Sequence, residues 1–281
     1  MKMPFRNIID WLLERDSRTS RSLLSILASS FATLNDRKLF RVYFDGVDWI
    51  CIGKRNALVS GRPIFHPEEH LMGNMKLFTH HYLPKTGDVV FDVGAGSGTE
   101  IPFLSQIIGS TGKVFAIESD IDAVRRLNKL VKLIKANNVE IVHCGVSSSD
   151  GVGYMLQKER GGISGRLIGM SMSADKSNEI QVRTMDAIIQ ELGIEKINFL
   201  KMNIEGCEYE ALLGFAKNLN KVENWCVSCH DFLQVEPIQT HQHVIELLIE
   251  NNCQILPNPY VEESTFRRFY VYAKQNLNLS S

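Results

Sequence analysis

The spacing of apolar positions changes period several times along the chain. Between residues 5 and 35 it is helical: "FRNIIDWLLER" sets Phe5, Ile8, Ile9, Leu12 and Leu13 mostly on one side, and "SRSLLSILASSFATL" is more apolar still. Two helices are predicted there. "FRVYFDGVDWICIG" (40–53) switches to alternation, and Asp45-Gly46 suits the tight turn of a hairpin. "PEEHLMGNMKLFTHHYL" (67–83) reads as a helix with Pro67 in its first turn, and Pro84 to Gly87 break the chain.

From residue 88 short buried runs alternate with amphipathic stretches. "DVVFDVG", "GKVFAIE", "VEIVHCGV", "INFLKMNIEG", "WCVSCHDF", "CQILPN" and "RRFYVYAKQ" read as strands. "TEIPFLSQIIG", "DIDAVRRLNKLVKLIKANN", "MDAIIQELG", "EYEALLGFAKNL" and "IQTHQHVIELLIENN" read as helices between them. Such alternation implies an α/β fold, a mostly parallel sheet covered by helices on both faces, with the final strand pair bringing in one antiparallel member. A glycine- and serine-rich stretch at about 147–178 breaks the rhythm, and "EIQVRT" after it is an added strand. Two parts follow: an N-terminal helical and β-hairpin extension, 1–84, and an α/β domain, 85–281.

Composition narrows the class. Hydrophobic residues make up 44% and charged residues 22%, enough apolar material for a large core. A formal net charge of −1 argues against a general nucleic-acid binder. No apolar run reaches the ~20 residues of a bilayer span. Asp10, Glu14, Arg15 and Asp16 interrupt the start as a secretory signal, and six cysteines without a disulfide-dense pattern fit a reducing compartment, so a cytoplasmic protein is expected. The first helices are expected to cap the main domain or to make a homo-oligomer contact. Arg15, Arg18 and Arg21 also suit peripheral contact with a membrane surface.

Ligands of such sheets bind beyond the carboxyl ends of the strands. The first α/β strand ends in "FDVGAGSGTE", where Asp92, Gly94, Gly96 and Gly98 form D-x-G-x-G-x-G. Small residues let backbone approach a ligand. The dinucleotide pattern G-x-G-x-x-G is not met, because Thr99 or Ile101 stands at its last position; a nicotinamide-dependent oxidoreductase is the weaker reading. Glu118 ends the second strand, where a carboxylate accepts hydrogen bonds from ribose hydroxyls.

"FDVGAGSGTE", the "AIE" ending, "TMDAIIQELG" and "FLKMNIEGCEYEALLG" together resemble the FkbM-like family of S-adenosylmethionine-dependent methyltransferases over about residues 85–275. The resemblance implies the Rossmann-like class I methyltransferase fold with a seven-stranded sheet. It implies S-adenosylmethionine as cofactor and O-methylation of a hydroxyl on a sugar, glycan or natural-product acceptor. By position, Gly94, Gly96 and Gly98 would lie beside the methionine part of the cofactor, with Asp92 in the same motif. Glu118 would hold the ribose with Ser119 beside it, and Cys144 to Val146 would flank the adenine. Asn203 stands where the family usually has aspartate; this departure keeps open a catalytically impaired cofactor-binding or assembly protein on the same fold.

Methyl transfer to an alcohol requires an aligned acceptor and a group to take its proton. His230, at the end of "CVSCHDF", is nominated as base or acceptor-positioning residue, with Asp231 to orient it or contact substrate. Alternation along "INFLKMNIEG" places Lys201, Asn203 and Glu205 on one face, with Lys201 available to pair with Glu205 or Glu208. A divalent metal is compatible with oxygen ligands at these strand ends, but nothing in the spacing requires one, and no residue is assigned to it. The loop at 158–176, with Gly161, Gly162 and Gly165, is a candidate lid over the acceptor.

Two further patterns are set aside. "CVSCH" matches a haem-attachment motif but falls in a core strand, where Cys226 and Cys229 point to opposite faces. "HPEEH" matches a zinc-protease pattern, but Pro67 leaves His66 outside the helix.

Overall fold

The computed structural model describes residues 6–156, 166–168, 179–233, 240–263 and 265–276. The two leading helices are α1 (Arg6–Arg15) and α2 (Arg18–Asp36). Ser17 caps α2 by accepting a hydrogen bond from the Ser20 amide. The buried face of α2 is a row of Ser20, Leu24, Ala28 and Ala32, and the helix packs on β1 (Arg41–Phe44). β1 pairs antiparallel with β2 (Trp49–Ile52), and β2 with β3 (Ala57–Ser60), a third strand that the hairpin pattern did not announce. Leu12, Leu24, Phe40, Trp49 and Cys51 form a core of their own here. The single helix expected over 67–83 is two short ones, α3 (Pro67–Met72) and α4 (Met75–Phe78), parted at Gly73-Asn74. His66 sits before α3, outside it.

The main sheet has seven strands. β4 (Val89–Val93), β5 (Lys113–Glu118) and β6 (Val139–His143) run parallel on one side. A small second sheet contains β7 (Gly145–Val146), β8 (Gly151–Leu156), β9 (Arg166–Ile168) and β10 (Glu179–Arg183), in the order β7-β10-β8-β9. The added strand "EIQVRT" is therefore real, but it belongs to this sheet and not to the main one. The main sheet continues with β11 (Phe199–Met202) and β12 (Asn224–Ser228), then β13 (Cys253–Leu256) and β14 (Tyr270–Gln275). Its order is β13-β14-β12-β11-β4-β5-β6. β14 lies antiparallel between β12 and β13, so the sheet is mixed, with six strands in one direction and one reversed.

Helices α5 (Ile101–Ile108), α6 (Ile121–Ile134), α7 (Met185–Glu191), α8 (Glu208–Leu213) and α9 (Thr240–Glu250) follow strands of the two sheets. Successive side chains of a strand enter cores on opposite faces. Phe91, Leu200, Trp225 and Cys229 lie in one core; Val90, Phe199, Cys226 and Tyr272 lie in the other. The two cysteines of "CVSCH" are thus separated by the sheet.

The N-terminal part is tied to α6 by charge. Asp45 turns the hairpin, its Oδ1 accepting from the amides of Val47 and Asp48. That turn delivers Asp48, fully buried, to Arg125, Arg126 and Lys129 of α6. Arg126 Nε lies 3.0 Å and Lys129 Nζ 2.7 Å from its carboxylate. Three cations hold the Asp48 carboxyl well below the usual carboxylate range, the Arg125 hydrogen bond contributing most. No helix among the described residues is long and apolar enough to cross a membrane.

Candidate active site

The carboxyl ends of β4, β5 and β11 open into a cleft. Gly94, Glu118, Ser119, Val146, Asn203 and Glu205 line it, together with Cys144 and Gly145. Ile117, Ile204 and Cys207 line it too, and no sequence signal marked them.

The glycine turn is shaped by what it passes. Gly94 has φ +77°, and a Cβ there would stand 2.0 Å from the Asn203 carbonyl oxygen. Only glycine lets β4 turn so close to the end of β11. Gly98 serves another purpose: a Cβ would meet Leu127 Cδ1 at 2.5 Å and Leu130 Cδ2 at 2.8 Å, so this glycine seats α6 rather than lining the cleft. Gly96, at φ +57°, has open space where a Cβ would be. Its amide points back to Glu118 Oε2 at 2.7 Å.

Glu118 is the hub of this rim. Its Oε1 accepts from the amides of Ser119 and Asp120, each at 2.8 Å. Three amides and a longer contact from the Ser119 hydroxyl, at 3.4 Å, take up most of a carboxylate's roughly four lone-pair directions, so a single ligand hydroxyl is accommodated in exchange for Ser119. Asp120 then caps α6 through the Asp122 and Ala123 amides.

Asp92 does not line the cleft. It is fully buried beside Lys201, its register partner across β4 and β11, and Lys201 Nζ lies 2.8 Å from Asp92 Oδ1. Neither Asp92 oxygen has a well-aligned hydrogen bond among the described residues. Lys201 also donates to the Gly94 carbonyl at 2.9 Å and sits 5.2 Å from the Phe78 ring centre. Burial pulls the Lys201 ammonium down, but the charges of Asp92 and Glu100 outweigh it and the net direction is up. Glu100, the third member, is pushed up to about 7 by burial against the opposing charge of Lys201.

This corrects the expected partners of Lys201. The strand ends at Met202, before alternation reaches Asn203 or Glu205. Lys201 pairs below the sheet end with Asp92, while Glu205 sits in a turn at φ +57°. That left-handed geometry costs a non-glycine residue about 1–2 kcal/mol.

His230 is buried and absent from the cleft lining; it stands behind Glu205. Its Nε2 is 3.7 Å from Glu205 Oε2, and its Nδ1 is 2.6 Å from Glu208 Oε1. Burial lowers the imidazole's proton affinity, yet the Glu208 hydrogen bond, then the charges of Glu208 and Glu205, more than offset this and the net direction is up. Asp231, expected to orient His230, instead accepts the His241 amide at 3.0 Å at the start of α9. Glu208 takes the place against the imidazole. Among the described residues, no group of three or more His, Cys, Asp or Glu is arranged to hold a metal ion. The candidate lid at 158–176 lies almost wholly outside the described residues.

A parallel strand order reversed only at β14, with a glycine turn ending β4 beside the switch to β11 and an acidic end on the neighbouring β5, defines a Rossmann-like class I methyltransferase fold. The chain belongs to the methyltransferase FkbM domain family, whose model matches residues 92–255, more than half of its length. It is similar to a probable cobalt-precorrin-6B C(15)-methyltransferase (decarboxylating) of Sulfurisphaera tokodaii, 41% identical over 56 residues, 20% of this chain and 29% of that protein. It is also similar to a protein-L-isoaspartate O-methyltransferase of Fervidobacterium nodosum, 33% identical over 58 residues, 21% of this chain and 29% of that protein. The matches thus span less than a third of these curated relatives. A solved structure of methyltransferase FkbM from Methylobacillus flagellatus KT aligns with a TM-score of 0.46 and 16% identity, covering 69% of this chain and 45% of that one.

Proposed function

We propose that the protein is an S-adenosylmethionine-dependent O-methyltransferase acting on a hydroxyl of a sugar, glycan or natural-product acceptor. The observation that carries this reading is the cleft that gathers Gly94, Glu118, Val146 and Asn203 from four separate strand ends. Its donor and acceptor set fits the cofactor. The Glu118 carboxylate suits a ribose hydroxyl, the Gly94 turn suits the close approach of an amino-acid moiety, and the Cys144–Val146 backbone with Ile117 suits a planar base. Asn203 offers an amide oxygen to the ammonium.

When bound, S-adenosylmethionine supplies a methyl group already activated by the positive sulfonium. In this reading Glu205, which lines the cleft, receives the acceptor's hydroxyl proton, and His230, its Nε2 3.7 Å from Glu205 Oε2, is the group that takes the proton up in turn. Asp231 serves α9 and lies outside this pair.

Isothermal calorimetry with S-adenosylhomocysteine tests the reading. Binding to the wild type is expected, with Glu118→Ala weakening it by at least about tenfold, the loss of one charge-assisted hydrogen bond. No binding to the wild type, or tighter binding of a nicotinamide cofactor, overturns it. A second reading, binding without turnover, is favoured by one feature, the neutral Asn203 in the cleft wall. Product formation on a panel of hydroxylated acceptors separates the two.

A further inference from the structure

We propose that Glu208 is the positioning residue of this site, one carboxylate that both fixes the turn carrying Glu205 and aims the His230 imidazole at it. The proposal rests on the reading of Glu205 and His230 as the proton-accepting pair.

Glu208 begins α8, and its side chain is fully buried. Its Oε1 accepts from the Ile204 amide and from the Gly206 amide, each at 3.1 Å. These amides flank Glu205 on either side. The left-handed geometry of Glu205 is thus pinned from both ends by a single oxygen. The same oxygen lies 2.6 Å from His230 Nδ1, a charge-assisted distance. With Nδ1–H committed to Glu208, Nε2 is the nitrogen left facing Glu205. The neighbouring turn residues Asn203, Ile204, Glu205 and Cys207 all line the cleft, so Glu208 joins the cofactor wall to the base without touching either ligand. Its second oxygen, Oε2, has no hydrogen-bond partner among the described residues. The carboxylate therefore directs its hydrogen bonding through Oε1 alone, to the turn and the histidine.

The groups that face His230 are Glu208 from α8, Glu205 from the turn and the Ser228 backbone from β12, with the Phe232 ring 5.3 Å away. A carboxylate fixed on Nδ1 makes the imidazole a stronger base. The pair then works in the form with Nε2 unprotonated, which is populated as pH rises through the raised pKa. Methyl transfer that depends on it rises with pH over that window and falls below it.

The test is a ¹⁵N-histidine NMR titration of the full chain as wild type, Glu208→Gln and Glu208→Ala. In the wild type, His230 is expected to titrate above the ordinary histidine range and, when neutral, to carry its proton on Nδ1. Glu208→Gln keeps an acceptor for the two turn amides but removes the charge, and should lower the proton affinity of His230 about tenfold, one pH unit. Glu208→Ala should in addition mix the two tautomers. An unchanged titration in Glu208→Gln overturns the proposal. So does a neutral wild-type His230 protonated on Nε2, a result that needs no variant to fold. Calorimetry with S-adenosylhomocysteine on the same wild-type protein keeps the two ideas apart. Absent binding defeats the methyltransferase reading, whereas intact binding with an insensitive His230 defeats only the role of Glu208.

Discussion

Lys201 Nζ lies 2.8 Å from Asp92 Oδ1, directly across the β4–β11 register and beneath the glycine turn. With Glu100 close by, the site rests on two carboxylates and one ammonium, all withdrawn from water. Such a group is costly to assemble and more costly to break. Lys201→Met should strand both carboxylates and destabilise the protein by about 3–5 kcal/mol in urea unfolding. Adding Asp92→Asn to Lys201→Met should recover a large part of that loss, because the uncompensated charge goes with it.

Glu100 sets a pH dependence. Its folded pKa, about 7, lies above its ordinary value of 4.5, so the folded state holds this proton more tightly than the unfolded one. That contribution to stability is complete below about pH 4.5 and is lost as pH rises through about 7. Glu100→Gln should therefore match the wild type near pH 4.5 and exceed it at pH 8 by up to about 3 kcal/mol. Equal stability of the two proteins across this range, by chemical denaturation, would contradict the assignment.

Two glycines of one motif should respond differently to alanine. Gly94→Ala drives a methyl group to 2.0 Å from the Asn203 carbonyl oxygen and must displace the cleft wall, so cofactor binding should be abolished. Gly96→Ala meets no atom within 4 Å and carries chiefly the left-handed backbone cost, about 1–2 kcal/mol. Thermal unfolding and calorimetry on the two variants check the contrast.

Asp48 should govern acid sensitivity at the junction of the N-terminal sheet and α6. Its folded pKa is depressed, so its contribution is present above the ordinary carboxylate value near 4 and is lost as pH falls below it. Asp48→Ala should cost about 3 kcal/mol at pH 7, since Arg125, Arg126 and Lys129 lose a buried counter-charge. The difference from wild type should shrink as pH falls from 4 to 2. Urea unfolding of the two proteins at each pH checks the difference.

The alternation of short apolar runs and amphipathic stretches determined the strand and helix order after residue 88, because each run must bury two faces or one stripe. Spacing alone placed the glycine turn and Glu118 together at the carboxyl end of the sheet. Spacing also separated Cys226 from Cys229 and left His66 outside its helix. Tertiary structure decided which charges meet. Lys201 is four residues from Glu205 in the chain, but β11 stops at Met202 and its neighbour in space is Asp92, 109 residues earlier. Asp231 adjoins His230 in sequence, yet the chain turns there and spends Asp231 on α9, while Glu208, arriving from another element, meets the imidazole. The small second sheet was settled in the same way, by the pairing of β7 with β10 across more than thirty residues. Local pattern specifies which face a residue occupies within its own element. Partners across elements depend on where strands end and turns begin, and those limits are set by packing over the whole fold.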